Sequence, residues 1–331
     1  MSKPHVLIIS PASAKANNGN WQTANRWAGF LREAYRVTIC DESQACSADS
    51  RPDAVVALHA RRSATAIARL SARFRDLPLI LILTGTDLYR DIRIDSNAQT
   101  SLRLATRIVI LQEAGLKELD ESLQAKTHVL YQSASALKPV KRAARSRNFK
   151  VMMIGHLREE KDPLTYMRAA ALVNNRAAQL VHIGAALDPA FERQAIATME
   201  KQTRYHWLGN LPHAETRRRL KHSHLMVIAS RMEGGANVIA EALASGVPVL
   251  ASDISGNRGM LGDDYAGYFP VGDSRQLAAM IDRCATDPDY YQGLSTQCKQ
   301  RAPLFSPERE KTDLLRLMDN CVHPNPQPGK T

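Results

Sequence analysis

Short apolar runs recur along this chain, separated by stretches whose apolar residues return every three or four positions. HVLII (5–9), RVTIC (36–40), AVVAL (54–58), LILIL (79–83), RIVIL (107–111) and THVLY (127–131) are too short for buried helices and rich in β-branched residues. They predict strands. Residues 21–34 set Trp21, Ala24, Trp27, Ala28 and Leu31 on one face and predict a helix, with another at 62–74. Continuous apolar strands that alternate with helices indicate a parallel sheet covered on both faces.

The alternation breaks at residues 138–150, KPVKRAARSRNFK, a basic stretch with few core-forming side chains. It predicts an exposed linker. A basic arm for RNA or DNA is the alternative, weakened because a single Phe offers little base stacking. The alternation resumes with VMMIG (151–155), QLVHIG (179–184), HLMVIAS (224–230) and VPVLAS (247–252), with helices at 162–174, 237–245 and 273–285. A last helix at 306–321 precedes a Pro-rich polar tail. The expected architecture is α/β, with two Rossmann-like, doubly wound domains facing across a cleft. The N-terminal domain covers 1–137, a basic linker 138–148 and the C-terminal domain 149–303. The helix within 304–321 is expected to pack back towards the N-terminal domain, and 322–331 to be a flexible tail. Ligands in such sheets bind beyond the carboxyl ends of the strands, and paired domains make a small-molecule cleft.

Composition agrees with two cores. The chain has 331 residues, 44% of them hydrophobic and 23% charged, with a formal net charge of +11. That charge favours anionic partners without choosing among nucleic acid, lipid and phosphorylated small molecules. The five cysteines, Cys40, Cys46, Cys284, Cys298 and Cys321, show no C-x-x-C spacing and read as reduced thiols. No signal-peptide core or bilayer-spanning run is visible, so a cytoplasmic protein without membrane insertion is expected. No metal is expected either. Asp287-Pro288-Asp289 spells D-x-D but suits a helix N-cap with Pro at the first turn, and His222 and His224 lack a third ligand. Trp21 and Trp27 read as core residues.

The stretch with most chemical content is RMEGGANVIAEA (231–242). A strand runs into a glycine bend, and a helix starts near Asn237. Free amides from Gly234 and Gly235 through Ala236, Asn237 and Val238 suit an anion at a helix N-terminus. Glu241 lies one turn on and can accept from two vicinal hydroxyls; Glu233, before the bend, can reach a second sugar. Ribose, diphosphate and hexose in a row fit that spacing. A capping loop beside a surface glutamate is the plainer alternative.

Glu-x7-Glu followed by ALASGVPV (242–249) resembles the nucleotide-sugar site of the GT-B-fold glycosyltransferases of the family 4 type. MIGHLREEKDP (153–163) resembles their Gly-Arg-Leu…Lys-Gly segment, and WLGNL (207–211) the segment that lines the base. The resemblance implies that Glu241 binds ribose, Glu233 the donor hexose and Lys161 the leaving diphosphate, with Gly155 and Gly209 shaping the donor loops. The usual arginine is His156 here, with Arg158 in reach to substitute. The histidine usual before Gly-Ser/Thr-Asp is Thr84.

GNWQTANRWA (19–28), LHARRSA (58–64), LTGTDLYRDI (83–92), GHLREEKDP (155–163) and SRMEGGANVIAEA (230–242) together resemble the selenosugar synthases of selenoneine biosynthesis. These join a UDP-hexose, typically UDP-N-acetylglucosamine, to selenium from selenophosphate. The resemblance implies a metal-independent transferase without a cofactor, with UDP-hexose and selenophosphate as its small-molecule partners. The loops of the N-terminal half supply cations for such an oxyanion: Arg61 and Arg62, Arg90 and Arg93, and Lys15 before Gly19 and Asn20. Thr23, Thr84, Thr86 and Asp87 complete the expected acceptor set. His59, at a strand end, is a candidate acid or base. An ordinary transferase with a hydroxyl or thiol acceptor is the alternative, and a nucleic-acid module a third reading; no specific nucleic-acid partner is expected.

Overall fold

The computed structural model describes residues 2–11, 19–47, 50–138, 140 and 147–323. Lys15, most of the basic linker and nearly all of the tail lie outside the described residues. The chain divides into two compact units. One runs to Gln132 and takes in the C-terminal helix Pro307–Val322; the other is Ser133–Ser306.

In the first unit, β1 (His5–Ile9), β2 (Arg36–Cys40), β3 (Ala54–Leu58), β4 (Leu79–Leu83), β5 (Arg107–Ile110) and β6 (Thr127–Val129) form one parallel sheet in the order β2-β1-β3-β4-β5-β6. Alternate residues face opposite sides, as the strand period of two requires. Leu7, Ile9, Val55, Ala57, Leu81 and Ile110 pack against Ile67, Leu70 and Leu102 on one face. Val6, Ile8, Val56, Leu58, Ile80 and Val109 pack against Trp27, Leu31, Leu314 and Met318 on the other. Helix Pro307–Val322 is bonded to helix Gly19–Leu31: buried Glu310 accepts from Arg26 Nε at 2.9 Å and from Trp27 Nε1 at 2.6 Å. Trp27 is fully buried, whereas Trp21 is only half-buried.

In the second unit, β7 (Phe149–Ile154), β8 (Ala178–Ile183), β9 (Tyr205–Trp207), β10 (Leu225–Ile228), β11 (Val249–Ser252) and β12 (Tyr268–Phe269) are also all parallel, in the order β12-β11-β10-β7-β8-β9. Counted from β7, this is the 3-2-1-4-5-6 order of dinucleotide-binding sheets. Its core gathers Phe149, Val151, Tyr166, Leu180, Leu225, Val227, Leu250 and Ile281.

The apolar runs match strands to within two or three residues at their ends. The edge strands β9 and β12 carried no readable signal, because YHW and YF are short and flanked by polar residues. Helices Ser96–Leu104, Pro189–Lys201 and His213–Lys221 were likewise unmarked, since each buries only a few side chains, and of helix Pro288–Arg301 only the start was marked. Asp287 caps the last of these, accepting from the Asp289 and Tyr290 amides with Pro288 at the first turn. Cys40, Cys284, Cys298 and Cys321 are buried. Among the described residues no helix is long and apolar enough to cross a membrane.

Candidate functional site

Each sheet reverses its winding at one point, and a crevice opens there beyond the strand ends. In the second unit that point lies between β7 and β10. The chain leaves β7 as Gly155-His156-Leu157-Arg158 and leaves β10 as Ala229-Ser230-Arg231-Met232-Glu233. Two segments far apart in sequence therefore meet because their strands are hydrogen-bonded neighbours.

Three bonds tie these loops together. Lys161 Nζ lies 2.5 Å from Glu233 Oε1, Arg231 pairs with Asp162 at 3.1 Å, and the Arg231 amide donates to the Glu160 carbonyl at 2.9 Å. Ser230 Oγ also donates to Glu233 Oε1 at 2.5 Å. Glu233 is thus buried but held by a lysine and a hydroxyl, the requirement for an ionised group out of water. Asp162 adopts a left-handed backbone, φ 42°, where the Glu159–Lys161 turn passes into helix Pro163–Leu172. Asn and Asp tolerate this conformation better than other non-glycine residues.

Two glycines are required by close approach. A Cβ on Gly256 would sit 1.9 Å from the Glu233 carbonyl oxygen, so helix Ser255–Leu261 presses directly on the acid-bearing loop. A Cβ on Gly184, at φ +156°, would lie 2.0 Å from the Gly155 carbonyl oxygen. That carbonyl is also gripped from below: His182 Nε2 donates to it at 3.1 Å, while Nδ1 accepts from the Tyr205 hydroxyl at 3.0 Å. Burial holds His182 down to about 4, so it stays neutral and keeps both bonds.

Helix Asn237–Ala244 follows the bend, as the sequence predicts. Its start differs in one detail from the expectation of a continuous run of free amides. The Ala236 amide donates to Met260 Sδ at 3.0 Å, so it is already engaged within the protein. Glu241 is buried on this helix and accepts from His213 Nε2 at 2.6 Å. His156 accepts from the Ala185 amide through Nδ1 at 3.0 Å, so in the neutral ring Nε2 carries the proton. Burial, with the charges of Arg158 and Lys161 behind it, lowers its pKa and favours that neutral donor. Arg158 has a buried Nε without a hydrogen-bond partner, 3.8 Å from the Glu160 carboxylate. Gly209, at φ +66°, follows β9; its carbonyl accepts from the Gly184 amide at 2.8 Å, and Trp207 Nε1 donates to the Gly184 carbonyl at 2.9 Å.

In the first unit the winding reverses between β1 and β3. His59 follows β3 with φ 75°, an unusual conformation for a non-glycine residue. Its ring is buried. Nδ1 accepts from the Arg62 amide at 3.3 Å, and Nε2 pairs with Thr86 Oγ1 at 3.1 Å. Burial lowers its pKa despite the carboxylates of Asp87 and Asp91 nearby. Both ring nitrogens are engaged, so His59 ties the Arg62 amide to Thr86. The Asp87 carboxylate is fully buried and accepts from the Ala60, Thr84 and Gly85 amides at 2.9 Å each, so it shapes the loop. Thr23 is buried too, its hydroxyl shared between the Gly19 carbonyl and Gln132. Gly19 and Asn20 open helix Gly19–Leu31.

Arg61 and Arg90 do come together, through a residue the sequence reading passed over. Buried Asp91, in the wide helical turn Asp87–Asp91, accepts from Arg61 Nε at 2.8 Å and from Arg90 Nε at 3.2 Å. Burial pushes the Asp91 carboxyl up, but the two guanidinium bonds outweigh it and hold it below the usual range. Each arginine spends only Nε on Asp91 and keeps its remaining donors on a half-exposed side chain. Arg62 is exposed beside them; Arg93 instead pairs with Glu118.

Comparison with known proteins adds a family to this geometry. The family model for glycosyl transferases group 1 matches residues 136–303, just over half of the chain. "Glycosyltransferase 1 domain-containing protein 1" of Xenopus tropicalis is 23% identical over 319 residues, covering 89% of this chain and 92% of that protein. Among solved structures, Anabaena Alr3699/HepE in complex with UDP and glucose superposes with a TM-score of 0.76 at 15% identity, covering 96% of this chain and 100% of that one. Sucrose-phosphate synthase of Thermosynechococcus elongatus gives 0.77 at 16% identity, covering 96% and 99%. The two parallel sheets are thus those of the GT-B class, and the chain belongs to the glycosyl transferases group 1 family.

Proposed function

We propose that this protein transfers a hexosyl group from a UDP-sugar to the selenium of selenophosphate. The observation that carries the donor half is the braced pair of loops at the β7–β10 crevice. The loops that leave these strands carry a lysine, a histidine donor, an arginine and a helix N-terminus, with two buried glutamates, Glu233 and Glu241. Glu233 orients the hexose hydroxyls. Glu241 accepts from the ribose hydroxyls. Lys161, with Arg158 and the amides of Asn237 and Val238, stabilises the charge that grows on the departing diphosphate. Alr3699/HepE, of like fold, is solved with UDP and glucose, which supports a UDP-sugar here.

Selenium attacks the anomeric carbon, the C–Se bond forms, and the electron pair of the broken C–O bond leaves on UDP. Selenophosphate is already ionised, so no general base is needed, which accords with the engaged ring of His59. Arg61 and Arg90, oriented by Asp91, and Arg62 supply the cations an oxyanion acceptor needs. The selenium acceptor rests on the resemblance of five segments spread along the chain; a hydroxyl or thiol acceptor is the alternative.

The test is direct. The protein is incubated with UDP-N-acetylglucosamine and selenophosphate, then with simple sugars or thiols, while UDP release and product mass are followed. A hexose that carries selenium supports the proposal. Turnover only with hydroxyl or thiol acceptors leaves the donor half and overturns the acceptor half.

A further inference from the structure

Glu241 does not stand alone. His213 opens helix His213–Lys221, directly after the extended Pro212. That helix buries Thr216 and Leu220 and packs against helix Asn237–Ala244. The contact between the helices sets His213 Nε2 at 2.6 Å from Glu241 Oε1. A carboxylate only accepts, so Nε2 carries the proton in this bond. No hydrogen bond among the described residues reaches Oε2. The histidine therefore fixes the rotation of the carboxylate at one oxygen and leaves the other for a ligand.

The surroundings make that grip consequential. His213 lines a groove of about 520 Å³ together with Leu137, Arg217, Arg218, Lys221 and His222. Arg217 in this groove has a buried Nε without a partner, although its terminal nitrogen donates to the Ser135 carbonyl at 2.5 Å. Among the described residues no other hydrogen bond holds the Glu241 carboxylate, so its rotation is set by His213.

We infer, resting on the donor reading above, that His213 is a positioning residue that sets Glu241 for the two vicinal hydroxyls of a ribose. It thereby makes the site selective for ribonucleotides over 2′-deoxyribonucleotides. Two hydroxyls on one carboxylate demand a fixed orientation; the single hydroxyl of a deoxyribose does not.

UDP and 2′-deoxyUDP binding are measured by calorimetry for the wild type and for His213→Ala, His213→Gln and Glu241→Ala, each with a melting curve to show that it folds. The half-exposed His213 side chain can be replaced without opening a core. His213→Ala should weaken UDP about tenfold, the loss of one hydrogen bond to a charged group, and 2′-deoxyUDP less than threefold. The preference then collapses, and His213→Gln, which keeps an N–H donor, restores most of it. Equal weakening of both nucleotides, or no change in UDP binding, overturns the inference. Glu241→Ala separates the two readings. If it abolishes the preference while His213→Ala retains it, the role of His213 alone is wrong. If Glu241→Ala itself leaves the preference intact, the donor reading of Glu241 falls with it.

Discussion

The two crevices occupy equivalent positions in their sheets and are built in opposite ways. At β7–β10 buried carboxylates and a buried histidine interlock neighbouring loops. Lys161 holds Glu233, Arg231 holds Asp162, His182 holds the Gly155 carbonyl, and helix Ser255–Leu261 lies against the Glu233 backbone. At β1–β3 the buried polar groups serve the loop itself. His59 and Asp87 are spent on amides and a hydroxyl, and the half-exposed guanidinium groups of Arg61 and Arg90 hang on one buried carboxylate, Asp91. Under the proposed function the contrast suits two tasks. A nucleotide-sugar must have its leaving group met by fixed charges at the moment of bond breaking, which rewards rigidity. A small oxyanion acceptor needs to be gathered and released, and exposed arginine forks do that without a rigid cage.

Substitution of Lys161 tests this contrast most severely. Lys161→Ala should lower kcat by about 10² to 10³, the scale of losing one charge-stabilising donor, with UDP affinity changed far less. Steady-state UDP release and calorimetry together read the split. Unchanged kcat would mean that the braced loops are scaffolding and that the chemistry lies elsewhere.

Acid should reach the β7–β10 crevice through His182. Its folded pKa of about 4 lies below the ordinary 6.5, so the unfolded chain binds a proton first as the pH falls. The stability it contributes is complete above 6.5 and is lost as the pH drops through the window down to 4, roughly 3 kcal/mol in all. Melting curves at pH 7.5 and pH 4.5 should show a drop in Tm that narrows in His182→Gln. An equal drop in the variant would assign acid sensitivity to other groups and weaken the claim that the Gly155 loop is held from below.

Gly256→Ala should follow in size. Its Cβ would meet the Glu233 carbonyl, and overpacking of this kind costs about 1–3 kcal/mol. Tm should fall by roughly 5 °C, and UDP should bind more weakly because the acid-bearing loop moves. A fall in Tm with UDP binding intact would separate the brace from the site.

The smallest effects belong to the other crevice. Arg61→Met and Arg90→Met should each raise KM for an anionic acceptor about tenfold, one charge-assisted bond apiece, and leave UDP binding within about twofold. If they weaken UDP instead, the division of labour between the two crevices is wrong.

Much of this was legible along the chain. The apolar runs placed all the central strands, because a strand buried on both faces must be apolar throughout. The Glu-x7-Glu bend marked Glu233, the helix start at Asn237 and Glu241, since these lie within one continuous stretch. His59 was also visible at its strand end, yet its role was not: whether both ring nitrogens are engaged depends on Thr86 and the Arg62 amide, which periodicity does not report. His213 was invisible for a similar reason. A polar histidine at the start of a basic helix carries no periodic or motif signal, and its meaning comes from a carboxylate 28 residues on.

Local chemistry therefore set the elements, the bend and the charge of each loop, because these follow from side-chain volume, backbone freedom and hydrogen bonding between near neighbours. Strand order set the rest. The pairing of β7 with β10 brings Lys161 to Glu233 across 72 residues, and the packing of two helices brings His213 to Glu241. No pattern of period two or 3.6 encodes which strand lies beside which. That choice is made by the cooperative packing of whole sheets and helices, and the partnerships of the charged groups follow from it.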